Sequence, residues 1–224
     1  MVAVELGAGP ALPSIVAACC GAKCVVTDQN PTLRDTCTPN CDANLLAVQA
    51  TKLGGSLQAQ ELQWGTTAAD EFSGLAPTLV LCADVIYNEE HFGVLADTVC
   101  MLLPEGTAAA QQQQQHAGGG KGGGQPSKPG GKKSKGKPGG GKKGKGKVPG
   151  LAPHALFAHR VRAKCARHGC DSDSFFDLLR TRGFTAETVE LDADTAALAQ
   201  RAAAVTTKSP QAIIVTKVFR APGP

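Results

Sequence analysis

Short apolar runs recur through the first hundred residues, with amphipathic stretches between them. VAVEL (2–6), KCVVTD (23–28) and PTLVLCAD (77–84) are almost continuously apolar, which is typical of strands buried on both faces of a parallel sheet. SLQAQELQWG (56–65) alternates apolar and polar residues and predicts one more strand.

Helical spacing fills the intervals between these strands. PSIVAACCGAK (13–23) predicts a helix closed by Gly21, and 32–55 predicts a helix interrupted near Pro39, because proline disrupts helical hydrogen bonding. NEEHFGVLADTVCMLL (88–103) has apolar residues at the spacing of one helical face. The alternation of strand and helix predicts β-α-β units and a parallel sheet.

The C-terminal third resumes the same pattern. HALFAHRVR (154–162) predicts a strand, and SDSFFDLLRTRGF (172–184) predicts a helix with a capping serine and a stop at Gly183. TAETVEL (185–191) and QAIIVTKVF (211–219) predict two last strands, with an alanine-rich helix around 196–204 between them. The chain should therefore end in a strand pair.

A low-complexity block of glutamine, glycine and lysine interrupts the pattern at 108–153. Residues 117–150 carry 10 of the 23 basic residues and none of the 19 acidic ones, so the rest of the chain is acidic. We expect the block to be a disordered insertion within one domain. The first half of this domain, residues 1–107, would bind the cofactor, and residues 154–224 would form the second half. Such a lysine-rich block can contact nucleic acid weakly or act in nuclear import, and it can equally be a tolerated surface loop.

Composition narrows the setting and the site chemistry. The nine cysteines include no CxxC pair, and only Cys165, His168 and Cys170 form a metal-like group, for which a plain surface loop is the better interpretation. We therefore expect no metal. With no secretory signal and no membrane-spanning apolar run, we expect a protein of the cytoplasm, and also of the nucleus, that does not bind membranes. We also expect a monomer.

The turn after the first predicted strand, ELGAGPALP (5–13), is the first candidate site. A dinucleotide fingerprint requires three glycines, but Leu12 stands where the third belongs. The two prolines also remove backbone N–H groups that a phosphate would use, and no phosphate-loop lysine follows. A nicotinamide-dependent oxidoreductase is therefore disfavoured.

Two carboxylates suggest what this turn binds instead. We expect Glu5, at the tip of the first strand, to lie at the mouth of the site, where it would repel a pyrophosphate but favour an ammonium and a sulfonium group. Asp28 ends the second strand, 19 residues after Gly9, where a carboxylate can accept hydrogen bonds from ribose hydroxyls. The pair predicts S-adenosyl-L-methionine as cofactor.

Three segments in register resemble one known family. VELGAGPALPSIVAACCGAKCVVTD, ELQWG and LCADVIYNEEHF closely resemble the seven-strand methyltransferases of methyltransferase family 16, which includes protein-lysine N-methyltransferases. The resemblance runs from about 2 to 103 and resumes more weakly from 154. It implies an α/β, Rossmann-like sheet of seven strands, parallel except for an antiparallel last strand. Family members carry a segment before the first strand, so this chain is expected to be N-terminally truncated.

The resemblance also implies roles for individual residues. Gly7, Ala8 and Gly9 would wrap the methionine end of the cofactor, and Asp28 would hold the ribose. Further cofactor contacts would come from Trp64 at the adenine and Ala83 on the fourth strand. Asp84 and Tyr87 resemble the D-x-x-Y motif and are the expected catalytic pair, which would orient an incoming amine.

The expected activity follows from these roles. The protein would transfer a methyl group to a lysine side chain of a protein substrate. GAKCVVTDQNPTL (21–33) also resembles the fungal elongation-factor methyltransferase that modifies both a protein N-terminus and a nearby lysine, so a protein N-terminal amine is a second expected acceptor. Displacement at the sulfonium needs a neutral amine, which the enzyme would position and desolvate. The alternative is a catalytically silent protein of this fold that binds a protein or RNA partner.

Overall fold

The computed structural model describes residues 1–65, 72, 74–105, 152–160, 171–197 and 213–220. Within these residues seven strands form one sheet. Their bounds are β1 Val2–Leu6, β2 Lys23–Asp28, β3 Ser56–Glu61, β4 Leu79–Ala83, β5 His154–Arg160, β6 Phe184–Thr188 and β7 Ile213–Arg220. Every predicted strand is present, and the apolar runs coincide with the buried ones.

The strand order is β3-β2-β1-β4-β5-β7-β6. The pairs β1–β2, β2–β3, β1–β4 and β4–β5 are parallel, whereas β7 is antiparallel to both β5 and β6. The predicted sheet, parallel except for an antiparallel last strand, is confirmed. Strand order reverses between β1 and β4, and open α/β sheets bind ligands beyond the carboxyl ends of the strands at such a point.

Helices cover both faces of the sheet. Their bounds are α1 Leu12–Cys19, α2 Asn30–Thr32, α3 Thr38–Ala50, α4 Phe92–Leu102 and α5 Ser172–Thr181, with a π-helical turn at Leu33–Cys37 and a 3-10 turn at Glu89–His91. Consecutive side chains of β1 pack on opposite faces of the sheet. Ala3 belongs to one hydrophobic cluster, and Val4 belongs to another that contains Phe157 and Phe175. No helix in the described ranges is long and apolar enough to span a bilayer.

The helix after β2 differs from its prediction near Pro39. The chain stays helical through this residue, and the irregularity is the π turn just before it, where the Thr38 N–H donates to the carbonyl oxygen of Leu33. A proline cannot donate to the preceding turn and its ring crowds that turn. A widened turn therefore accommodates Pro39 without breaking the helix.

The C-terminal region needs one correction and leaves one prediction incomplete. Asp171, not a serine, caps α5, because its extended backbone lets its carboxylate accept the Asp173 N–H at 3.1 Å. Helical residues are seen at 193–197, where Asp192 accepts the Thr195 N–H at 2.9 Å. The remainder of the predicted alanine-rich helix, the insertion up to 151 and the metal-like group at 165–170 lie outside the described residues.

Candidate active site

The carboxyl ends of β1, β2, β3 and β4 meet around one cleft of about 350 Å³, which is within the range of small-ligand sites. The described residues that line it come from the end of β2, from the loops and turns after the four strands, and from the start of α4: Gly7, Asp28, Gln29, Thr32, Leu62, Gln63, Trp64, Asp84, Val85, Tyr87, His91 and Val94. They include two aspartates but neither a lysine nor an arginine. The lining therefore suits a ligand without phosphates better than one that carries them.

The glycine turn, residues 7–11, needs its glycines for two different reasons. Gly7 and Gly9 both have positive φ, 61° and 49°, which favours glycine at each. A Cβ on Gly7 would also lie 2.9 Å from Cζ2 of Trp64 and 3.0 Å from Cγ1 of Val85, whereas a Cβ on Gly9 would meet nothing within 4 Å. Gly7 therefore lets the indole ring approach the backbone, and Gly9 leaves open space.

Three amide groups of the glycine turn, those of Ala8, Gly9 and Ala11, are already engaged within the protein. Ala8 N–H donates to the Thr27 carbonyl at 3.0 Å and Ala11 N–H to the Ala8 carbonyl at 2.8 Å. Gly9 N–H donates to Oδ2 of Asp28 at 2.9 Å. Phosphate sites in such turns depend on converging backbone N–H groups, so these bonds support the sequence argument against a phosphate-binding turn.

Glu5 lies below the glycine turn and not at the mouth of the cleft. Its side chain is buried, with 1% exposed, and Oε2 accepts the Ser14 N–H of α1 at 3.0 Å. The predicted position is wrong because the first turn of α1 offers an unpaired N–H that this carboxylate satisfies. Oε1 has no partner. Burial raises the Glu5 pKa to about 7, the Asp28 charge adds to this, and the bonds from Ser14 oppose it.

Asp28 lies where the sequence predicted, at the carboxyl end of β2 and in the cleft wall. Besides the bond from Gly9, Oδ1 accepts the Gln29 N–H at 2.8 Å. A carboxylate offers about four acceptor positions. Both Asp28 oxygens are therefore oriented by backbone bonds and keep acceptor capacity for hydroxyl groups of a ligand.

The tryptophan turn, residues 62–65, brings the indole over Gly7. Trp64 is half-buried, and Gly65 follows it with φ 76°. Gly65 N–H donates at 3.0 Å to Oγ1 of Thr98, which in turn donates at 2.8 Å to the carbonyl of Val94. The position of this turn is therefore linked to α4.

Asp84 and Tyr87 also line the cleft, after β4. Asp84 adopts φ 55°, a conformation that is uncommon outside glycine and that aspartate tolerates better than most residues. Its N–H donates to the Ala158 carbonyl at 2.8 Å, so the chain turns sharply at the end of the strand. Tyr87 is 46% exposed, and the ring of His91 meets both Tyr87 and Trp64 edge-on at 6.3 Å.

The structure thus brings together five of the nine predicted site residues and leaves four outside the lining. Gly7, Asp28, Trp64, Asp84 and Tyr87 share the cleft. Glu5 and Ala8 are buried, and Gly9 bonds to Asp28 without lining the cleft. Ala83 is the last residue of β4, directly before Asp84. The roles assigned to all nine stay predictions.

Sequence reasoning missed seven residues of the lining: Gln29, Thr32, Leu62, Gln63, Val85, His91 and Val94. Gln29 and Thr32 follow Asp28 closely, so the position of that aspartate was a usable signal. His91 lies in the 3-10 turn before α4, and nothing in its local pattern separates it from other polar residues at a helix start. Only the packing of α4 against the tryptophan turn reveals it.

Comparison with known proteins agrees with this architecture. The glycopeptide N-methyltransferase MtfA superposes on the chain with a TM-score of 0.50 at 8% identity, covering 99% of this chain and 89% of that one. At such low identity the likeness concerns the fold alone. The fold is therefore the Rossmann-like methyltransferase sheet that the sequence predicted.

Sequence comparison is more specific. The mouse histone-arginine methyltransferase METTL23 is 32% identical over 102 residues, which are 45% of this chain and 37% of that protein. The mouse protein N-lysine methyltransferase METTL21A is 39% identical over 97 residues, 43% of this chain and 42% of that protein. The matched stretch thus spans less than half the length of these curated relatives. The family model described as lysine methyltransferase matches residues 1–115, and the chain therefore belongs to the lysine methyltransferase family.

Proposed function

We propose that the protein is an S-adenosyl-L-methionine-dependent methyltransferase that methylates lysine side chains of a protein substrate. The observation that carries the proposal is the cleft at the switch point of the sheet, where the glycine turn faces Asp28, Trp64 and Asp84 without any lysine or arginine in the described lining. A cofactor with a sulfonium and an adenosine, but no phosphate, matches these groups. Membership of the family supports the same conclusion.

The residues present fit this cofactor. Asp28 would accept hydrogen bonds from the ribose hydroxyls with the acceptor positions that its backbone partners leave. Gly7 leaves room for the Trp64 ring, whose flat face suits an adenine. S-adenosyl-L-methionine supplies, when bound, a methyl group on a sulfonium that a neutral amine can accept, with S-adenosylhomocysteine as the product. Glu5 orients the turn from below through Ser14.

Asp84 and Tyr87 would bind the amine of the substrate. A lysine side chain enters with a proton and must lose it before it can accept a methyl group. Asp84 would bind and orient the ammonium, and Tyr87, which is half exposed at the rim, would guide the alkyl chain inward. A lysine at the mouth would also face the His91 ring, which offers a nitrogen that could accept this proton.

The class of acceptor is the least constrained part of the proposal. METTL21A is named a protein N-lysine methyltransferase and METTL23 a histone-arginine methyltransferase, so an arginine is the competing acceptor, and a protein N-terminal amine is a third. A carboxylate facing aromatic rings can bind any of these cations. We assign lysine because the family model itself describes lysine methyltransferases.

Calorimetry followed by product analysis tests the proposal. The chain should bind S-adenosylmethionine and S-adenosylhomocysteine but not NADH, and it should transfer label from the methyl donor to proteins of a cell lysate, recovered on hydrolysis as methyl-lysine. Asp84→Asn and Tyr87→Phe should keep cofactor binding and slow transfer about 100-fold, the scale for a group that handles a proton or positions the amine. Transfer at the wild-type rate by both variants would refute their roles.

The same titration distinguishes the second candidate. A catalytically silent protein of this fold, which binds a protein or RNA partner, is favoured only by the lysine-rich block at 117–150. Absence of binding to either form of the cofactor would support it. We also propose that 1–107 and 154–224 form one domain around the insertion, and that the protein acts as a monomer in the cytoplasm and the nucleus.

A further inference from the structure

We propose that Thr98 is a positioning residue for the cleft, whose hydroxyl places the Trp64 indole against the glycine turn and so determines the affinity for the adenosine part of the cofactor. The position of Trp64 can be measured without any ligand. Only the effect on affinity rests on the function proposed above.

The geometry around Thr98 is that of a bridge between two elements. Its side chain is buried, with 2% of the residue exposed, and it lies on the face of α4 that packs toward the tryptophan turn. Oγ1 accepts the Gly65 N–H at 3.0 Å across 33 positions of sequence. The hydroxyl proton is used at the same time, since Oγ1 donates to the Val94 carbonyl at 2.8 Å.

This second bond gives the hydroxyl a direction. A threonine whose proton is committed to the preceding turn of its own helix presents its lone pairs outward. The acceptor is therefore aimed at Gly65 before any ligand arrives. Valine has the same shape but offers no acceptor, and serine keeps the acceptor while losing one methyl group.

Steric contacts then transmit the position of Gly65 to the indole. Gly65 lies so close to α4 that a Cβ on it would be 2.8 Å from Cβ of Val94. Trp64, one residue earlier, touches the place where a Cβ of Gly7 would lie. The indole thus contacts the glycine turn while the next residue, Gly65, lies against the first turn of α4, and the Thr98 bond holds this segment.

Fluorescence offers a direct test, because Trp64 is the only tryptophan of the chain. In Thr98→Val we expect emission at longer wavelength and faster quenching by acrylamide than in the wild type, and in Thr98→Ser near wild-type values. Thr181→Val is the matched control: the Thr181 hydroxyl also donates within its own helix, to the Leu178 carbonyl at 2.7 Å, but on α5. It should leave the emission unchanged.

Affinity for S-adenosylhomocysteine, measured by calorimetry, extends the test to the cofactor. Thr98→Val should weaken binding about five- to tenfold, the effect of one hydrogen bond, and Thr98→Ser should restore most of it. Wild-type fluorescence in Thr98→Val would overturn the positioning role. If no form of the chain binds S-adenosylhomocysteine, the proposed function fails while the fluorescence still decides the position of Trp64.

A measurement on the wild type covers the case in which Thr98→Val does not fold. Amide hydrogen exchange by NMR should show the Gly65 N–H protected, despite its place in an exposed loop, because its acceptor is buried. Exchange of Gly65 as fast as that of the exposed Gly54, which also has positive φ, would contradict the bridge. Protection at Gly65 without protection at Gly54 would support it.

Discussion

Two turns meet at the cleft, and they are held in different ways. The N–H groups of the glycine turn bond within their own β-α-β unit, to Thr27 and Asp28 at the end of β2, and Glu5 secures the start of α1. The tryptophan turn is held at Gly65 by Thr98, a side chain of the next helical unit. An N–H bond whose partner lies in the same unit is specified by a local motif, whereas a bond whose partner arrives with another unit is not.

The largest expected effect concerns the underside of the glycine turn. Folding raises the Glu5 pKa from 4.5 to about 7, mainly through burial, so the folded state holds the proton more tightly than the unfolded state. The stabilisation of the folded state by this proton is complete below pH 4.5. It is lost as the pH rises to about 7, which lowers the free energy of unfolding by about 3 kcal/mol.

Glu5→Gln should therefore flatten the pH dependence of stability. Urea unfolding at pH 5 and at pH 8 measures the change, and the variant should lose less stability over this interval than the wild type. Thr181→Val, which changes no titratable group, serves as a control that retains the wild-type slope. Equal slopes in Glu5→Gln and the wild type would show that Glu5 ionises as an ordinary exposed carboxylate does.

Within the glycine turn, the two glycines should respond unequally. Gly7→Ala adds a Cβ against Trp64 to the strain of positive φ and should cost about 2–3 kcal/mol. Gly9→Ala adds only the strain, about 1 kcal/mol, because the space around it is open. Thermal unfolding and the Trp64 emission of both variants check this, since only Gly7→Ala should displace the indole. Equal costs would mean that the indole does not rest on Gly7.

The tryptophan turn offers a matched pair as well. Gly65 and Gly54 have φ 76° and 79°, but only a Cβ on Gly65 would meet another residue, Val94. Gly65→Ala should therefore cost about 1 kcal/mol more than Gly54→Ala in urea unfolding. If the two substitutions were equally costly, α4 would not confine this turn.

The smallest effect is a difference in reactivity below the glycine turn. The Cys37 thiol is fully buried and donates to the Gly9 carbonyl at 3.1 Å, and burial raises its pKa to about 11. N-ethylmaleimide at neutral pH should modify the exposed Cys20 and leave Cys37 intact, as mass spectrometry would show. Denaturation should abolish the difference. Fast labelling of Cys37 in the folded protein would mean that the turn opens.

The fold was readable because its signals are local. The apolar runs of β1, β2 and β4 indicate strands buried on both faces, and the spacing from Gly9 placed Asp28 at the end of β2. The errors arise where two partners compete for one role. Asp171 precedes the predicted capping serine and takes its place, and the strain around Pro39 is absorbed by the Leu33–Cys37 turn.

The site was only half readable, for a related reason. A residue at the end of a strand can turn into the cleft or away from it, and neighbouring donors decide the outcome. Glu5 turned inward because Ser14 offers an unsatisfied N–H, while Asp28, bonded to Gly9 and Gln29 at the surface of the turn, stayed in the cleft wall. His91 lines the cleft just before α4, and Thr98 bonds to Gly65 from within α4; the sequence neighbours of neither residue indicated this.

Sequence by itself determined the order of strands and helices, the glycine turn, the acidic character of its surroundings and membership of the family, because each depends on residue types at short and regular spacing. Tertiary structure alone decided which carboxylate faces the cleft, how closely Trp64 approaches Gly7, and that Thr98 reaches Gly65. Those outcomes depend on donors, acceptors and contacts that packing brings together, for Trp64 and Thr98 across tens of residues. The pattern of residue types along the chain does not predict such contacts.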